Sequence, residues 1–264
     1  MERKITLLMA AFLAQFCVSP APAEVRAYAH EYRIGDAVFE GYAAYDGSLP
    51  AMRPGVLVIH EWTGVNEHVR ERVRRLAALG YAAFAADIYG KGIRPKSGPE
   101  AAKEAGVYRA DRALLRARAA AGLSELRKMK EVDPARVAVI GYCFGGGAAL
   151  ELARSGAGIR GAVSFHGNLD TPDPSDAKKI TGKILVLHGA DDPHVPAASV
   201  AAFQDEMRAA GADWQFVSYG GAVHSFTDPS AGDDPSKGAA YDAGADRRSW
   251  ALMLDFFEEI FGDQ

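Results

Sequence analysis

Cysteine is nearly absent, with only Cys17 and Cys143 among 264 residues. So few cannot build a disulfide framework, and without a C-x-x-C pair or a resolving partner a dithiol redox function is excluded. No G-x-S-x-G occurs, which removes a serine hydrolase of the usual elbow type. The His60-Glu61 pair does not begin H-E-x-x-H, because Gly64 stands where the second histidine would be. No other histidine or carboxylate group has zinc spacing, so neither a metal nor another cofactor is expected. An excess of one charge is also missing. Thirty Lys and Arg against 34 Asp and Glu give a formal net charge of −4, with the signs interspersed. That argues against nucleic acid or an anionic membrane surface as partner.

The N-terminus reads as a targeting segment. Glu2-Arg3-Lys4 is a short charged region, residues 5–18 are mostly apolar, and Ala21-Pro22-Ala23 fits a small-x-small cleavage site. The apolar run is shorter than the roughly 20 residues that span a bilayer, so a removable signal peptide (1–23) is expected rather than an anchor. The mature chain, 24–264, is then exported, periplasmic or secreted, keeps Cys143 alone, and fits one α/β domain with a large core.

Residues 25–34 and 37–45 alternate around Gly35-Asp36 as a hairpin should. Buried strands are expected at 56–60, 81–86, 137–140, 159–165, 183–188 and 213–219. Helices are expected from Asn66, as cap, to Leu79; over 99–130, with a possible break near Gly106; from 145 to Arg154; and over 196–210 and 239–261. Strand–helix alternation of this kind predicts a mostly parallel sheet covered by helices on both faces, with functional groups at the carboxyl ends of the strands.

The most informative stretch is R-V-A-V-I-G-Y-C-F-G-G-G at 136–147. A β-branched run stops at a cysteine flanked two residues away on each side by glycine, then restarts as a small-residue helix. This is the pattern of a nucleophile elbow, where a strained turn leaves no space for neighbouring Cβ atoms. The turn places Cys143 over a helix N-terminus, which favours a thiolate, and frees the backbone N–H of Phe144 for an oxyanion. A thiol nucleophile needs a base, and the base needs an orienting acid. His224, in G-G-A-V-H-S-F, and Asp192, in H-G-A-D-D-P-H-V-P, follow later strands in the order nucleophile, acid, histidine. Asp191 is assigned to solvent or a turn. His60, His166 and His188, each ending a strand, read as core or supporting groups.

With H-E-W-T-G at 60–64, D-I-Y-G-K-G at 87–92, G-Y-C-F-G-G at 141–146, the Asp192 motif and G-A-V-H-S-F at 221–226, the chain resembles the dienelactone hydrolase family. The resemblance implies a single-domain α/β-hydrolase with a Cys143–His224–Asp192 triad and cofactor-free cleavage of a small-molecule carboxylic ester or lactone. It also implies that Glu61 contacts the resting thiol and helps remove its proton, against the plainer reading of a charge at a helix N-terminus. The backbone N–H of Trp62 becomes the second oxyanion donor. Tyr89, Tyr142 and Phe226 are expected to line an apolar pocket. Asp228 stands where the family has a carboxylate-holding arginine, and an acid there would repel an anionic substrate. A second family arginine belongs after Tyr89, with Lys91, Arg94, Lys103 and Arg109 as possibilities. Thioester hydrolysis on the same triad and a non-catalytic binding protein are the alternatives.

Overall fold

The computed structural model describes residues 23–262; residues 1–22 of the expected leader, Cys17 among them, and residues 263–264 lie outside the described residues. Eight strands form one sheet in the order β1-β2-β4-β3-β5-β6-β7-β8. They are β1 Val25–Ile34, β2 Ala37–Asp46, β3 Arg53–Ile59, β4 Ala82–Ala86, β5 Val132–Tyr142, β6 Gly161–Phe165, β7 Lys183–Gly189 and β8 Trp214–Tyr219. The β1–β2 hairpin forms one edge, β2 runs antiparallel to β4, and all other neighbours are parallel. Helices α1 Glu67–Ala78 and α6 Ala243–Phe261 cover one face; α2 Gly98–Ala110, α3 Arg112–Lys128, α4 Phe144–Arg154 and α5 Ala197–Ala210 cover the other. This is the helix-covered, mostly parallel sheet that the alternation predicts.

Local chemistry sets the boundaries. The Asn66 side chain accepts the Val69 N–H at 3.0 Å, and Val69, Val73, Leu76 and Ala77 put one fully buried stripe of α1 on the sheet. Leu79 instead terminates the helix and is exposed. The long helix expected over 99–130 is two helices, and the break is at Asp111 rather than Gly106. Asp111 Oδ1 accepts the Leu114 N–H at 2.9 Å, so a side-chain cap starts α3, whereas Gly106 costs only backbone entropy and passes through α2. The last helix starts at Ala243, capped by Asp242, and not at 239. Residues 239 and 240 serve the His224 loop instead. The spelling G-x-G-x-x-G occurs at 156–161, but it leads out of α4 into β6, the reverse of a strand-to-helix dinucleotide loop.

Ile59 lies opposite Ala86 and Gly141, Tyr142 opposite Phe165, and Phe165 opposite Leu187. The carboxyl ends of the central strands are thus level, and the loops that follow them share one rim. Glu61, Cys143, His166 and Asp192 all come from those loops.

Candidate active site

Cys143 joins β5 to α4 with φ 52° and ψ −117°, a conformation that costs a residue with a Cβ on the order of 1–3 kcal/mol. Its neighbours have to be glycine. A Cβ on Gly141 would lie 1.9 Å from the Gly145 carbonyl oxygen, and one on Gly145 would lie 2.2 Å from that of Ile59. The elbow therefore presses β5, α4 and the end of β3 into backbone contact.

Among the described residues the thiol has one close polar partner. Cys143 Sγ is 3.0 Å from His224 Nε2, and His224 Nδ1 is 2.8 Å from Asp192 Oδ2. Asp192 is held in turn, since its Oδ1 accepts the His194 N–H at 2.8 Å. The His224 loop is fixed on both sides: His224 N–H donates to Gly238 O at 3.3 Å, and Ala240 N–H to His224 O at 3.0 Å. Burial disfavours a charge on His224, but the facing Cys143 and the Asp192 hydrogen bond outweigh it and push the ring up to about 10. Burial likewise works against an ionised Asp192, yet the His224 contact holds it below the usual carboxylate range. A protonated ring is the partner that a thiolate needs. Among the described residues, the backbone N–H groups of Phe144 and Trp62 donate to no other protein group.

Glu61 differs from the resemblance-based expectation. Among the described residues, no hydrogen bond joins it to Cys143, and its Oε1 is buried with no partner. Burial, reinforced by Asp228 and opposed by His224 and Arg72, raises its carboxyl to about 8. It is a neutral acid at pH 7, so the attraction of an ionised carboxylate for a helix N-terminus does not describe it. Between pH ~4.5 and ~8 the unfolded chain releases a proton that the folded chain keeps, so stability falls with rising pH through that window. Glu61→Gln, which removes this slope, should melt near the wild type at pH 5 and above it at pH 8.5. Equal destabilisation at both pH values would show Glu61 to be a stabilising anion instead.

Above the thiol is a cavity of about 300 Å³, lined by Trp62, Arg109, Asn168, His194, Ser225 and Ala239 around Cys143 and His224. A second cavity of about 590 Å³ shares Trp62, Ser225 and Ala239 with it and holds Glu61, Asp228, Arg94 and Lys96. No cluster of three or more His, Cys, Asp or Glu side chains suited to a metal occurs among the described residues.

Set against known proteins, residues 39–261 match the model of the dienelactone hydrolase family. The chain belongs to that family. It is thereby a carboxylic ester hydrolase. A solved relative, a dienelactone hydrolase-like promiscuous phosphotriesterase, P91, from metagenomic libraries, is 44% identical with TM-score 0.86, covering 90% of this chain and all of that one. An uncharacterised Caenorhabditis elegans protein, K02A2.1, is 43% identical over 150 residues, 56% of this chain and 94% of its own. A Methylorubrum extorquens protein named "Putative carboxymethylenebutenolidase" is 28% identical over 233 residues, 81% of this chain and 78% of its own.

Within this family member the expected pocket residues are placed differently from the sequence reading. Tyr142 is fully buried and stacks on Phe165 at 4.7 Å in the layer beneath the site, because it precedes Cys143 on a strand and points to the opposite face. Phe226 is also fully buried, against His166 and Tyr219, since Ser225 (φ 57°) turns the chain inward after His224. Tyr89 supports rather than lines the cavity: its hydroxyl donates to Trp62 O at 3.1 Å and its ring packs on His60 and Phe144. Asp228 caps a short turn, accepting Ser230 N–H and Oγ–H at 2.8 Å each, with His68 Nδ1 at 3.6 Å. It faces the second cavity and does not line the one over the thiol.

Of the four basic candidates only Arg109 reaches the thiol cavity, where it donates to Asn168 Oδ1 at 2.8 Å. Arg94 is tied to Asp87 and to the backbone of Glu40, Gly90 and Ile93, and Lys91 pairs with Glu31. His60 is a buried strut: its Nδ1–H donates to Glu61 O at 2.5 Å and its Nε2 accepts Ile88 N–H at 3.1 Å. Asn168, His194 and Ser225 were not singled out by sequence. Their only signal is position, each within a few residues of a strand end or of a motif residue.

Proposed function

We propose that the protein hydrolyses small carboxylic esters or lactones through a thioester on Cys143. The observation that carries this reading is the continuous contact from Sγ to His224 to Asp192 beside two unused backbone N–H groups. The thiolate attacks the carbonyl carbon, and the negative charge moves to the carbonyl oxygen, where Phe144 and Trp62 N–H donate to it. The tetrahedral adduct collapses, the C–O bond breaks, and the leaving alkoxide takes the proton held on His224 Nε2. Water, losing a proton to His224, then attacks the thioester and releases the carboxylate and Cys143. Asp192 keeps the proton of Nδ1 in place throughout. Glu61 adjoins this chemistry as a neutral acid at pH 7 and sets no charge against the thiolate. Turnover of a panel of aryl esters, lactones, thioesters and one aryl phosphotriester tests the reading. The triester belongs there because of the 44% identical relative. No turnover of any carboxylic ester or lactone would contradict the proposal.

Among the described residues, the lining of the cavity over the thiol holds one permanent cation, Arg109, and no carboxylate. Esters or lactones with an anionic or strongly accepting group there are the preferred class. Arg109→Ala is expected to lower kcat/KM for a carboxylate-bearing ester relative to its neutral analogue about tenfold, less at high salt because the guanidinium is solvent-exposed. An unchanged ratio would remove Arg109 from recognition. Export is also part of the proposal and rests on the sequence of residues 1–23 alone. The intact mass of the protein from expressing cells should correspond to a chain starting at Glu24; a chain starting at Met1 would refute it.

A further inference from the structure

Three of the described non-glycine residues with left-handed backbone lie together at the site: Cys143 (φ 52°), His166 (φ 40°) and Ser225 (φ 57°). Strain of this kind persists only where the surroundings enforce it. His166 takes no part in the steps above, yet it is fully buried at the carboxyl end of β6, directly behind the reacting pair. Its main chain is anchored by its N–H donating to Leu187 O at 2.8 Å.

The ring makes two polar contacts whose directions follow from the partners. Cys143 N lies 3.1 Å from His166 Nδ1, and an amide can only donate, so Nδ1 accepts. The same N–H is shared with Phe165 O at 3.0 Å. In a neutral ring the proton then sits on Nε2, which donates to Thr227 Oγ1 at 2.8 Å. Thr227 is fixed through its carbonyl, which accepts Arg72 Nη2 at 2.6 Å, and Arg72 is paired with Asp246 at 2.8 Å. The ring also packs edge-on to His224, with centroids 5.3 Å apart, and to Phe226 at 5.1 Å. Burial, with the protonated His224 and the more distant Arg72 beside it, holds the ring well below its ordinary titration range, so this neutral form persists at working pH.

We propose that His166 is a positioning residue that ties the strained Cys143 elbow to the loop carrying His224 and so fixes the separation of Sγ and Nε2. One imidazole bridges the two loops that the reaction must hold in register, each contributed by a different strand end. A displacement of about 1 Å between such groups can cost on the order of 10²-fold in rate. This rests on the reading of Cys143 as nucleophile with His224 as its partner.

The test uses two readouts on the full protein: alkylation of Cys143 by iodoacetamide at pH 6, which needs no substrate, and kcat and KM on an aryl ester. His166→Phe keeps the ring but offers no donor or acceptor. His166→Asn restores an acceptor near Nδ1 and tolerates positive φ. Thr227→Val deletes only the hydroxyl that receives Nε2–H. A thiol moved away from the His224 ring loses the partner that takes its proton and faces its charge, so His166→Phe should slow alkylation and kcat about 10²-fold with KM within about threefold. His166→Asn should recover about tenfold of that, and Thr227→Val should fall between. Alkylation by His166→Phe within about threefold of wild type would overturn the proposal. So would an Asn variant no faster than Phe with both melting early, since that marks packing alone. If His166→Phe does not fold, Thr227→Val decides, and unchanged alkylation in it counts against the clamp. Absent ester turnover in the wild type with alkylation still slowed in the variants would defeat the ester reading while the clamp stands.

Discussion

Replacing Cys143 by alanine is expected to lower kcat/KM for every ester substrate by at least about 10³-fold while leaving the fold intact. The elbow is held by backbone contacts between Gly141, Gly145 and Ile59, none of which involves the sulfur. Only one thiol is present among the described residues, and no serine hydroxyl is bonded to His224. Water attacking directly would keep the help of the Phe144 and Trp62 N–H groups, so a residual rate above background is expected. Steady-state kinetics with circular dichroism and melting as controls measure this. Turnover by the alanine variant within about tenfold of wild type would place the nucleophile elsewhere.

Asp192→Asn should be nearly as damaging, on the order of 10³- to 10⁴-fold in kcat, with little change in shape. The reason lies in the second contact of this side chain. Asp192 Oδ1 accepts the His194 N–H, so an asparagine satisfies that donor with its carbonyl oxygen and turns its NH₂ toward His224 Nδ1. Nδ1 must then accept, the ring proton moves to Nε2, and no lone pair remains to take a proton from Cys143 or water. The comparison variant Asp192→Glu keeps the charge and should lose less. Asparagine activity close to wild type would mean that His224 does not depend on this carboxylate for its tautomer.

The sequence carried the chemistry further than the pocket, for physical reasons visible in particular residues. An elbow needs glycine two residues from the nucleophile because real Cβ atoms would overlap backbone there, so G-Y-C-F-G is legible without coordinates. Strand-end placement likewise brings His224 and Asp192 to the same rim as Cys143, since parallel strands end level. Which aromatic lines the cavity is a different kind of question. Tyr142 adjoins Cys143 in sequence but points through the sheet, and the turn at Ser225 that buries Phe226 comes from a φ that no residue pattern announced. Asp228 looked decisive by position, yet a local cap with Ser230 turns its carboxylate aside. Arg109 was one of four basic candidates and became distinct only when the break at Asp111 fixed where α2 ends. The protonation of Glu61 depends on burial and on Asp228 across the fold, which sequence spacing does not encode.

The most direct measurement is the mass of the protein quenched during turnover of a slowly deacylated ester, followed by peptide mapping. The proposal predicts an adduct equal to the acyl group on the peptide containing Cys143, labile to hydroxylamine and absent from Cys143→Ala. An enzyme that turns over the ester while the acyl group appears on another residue, or that remains active with Cys143 quantitatively alkylated, would contradict it.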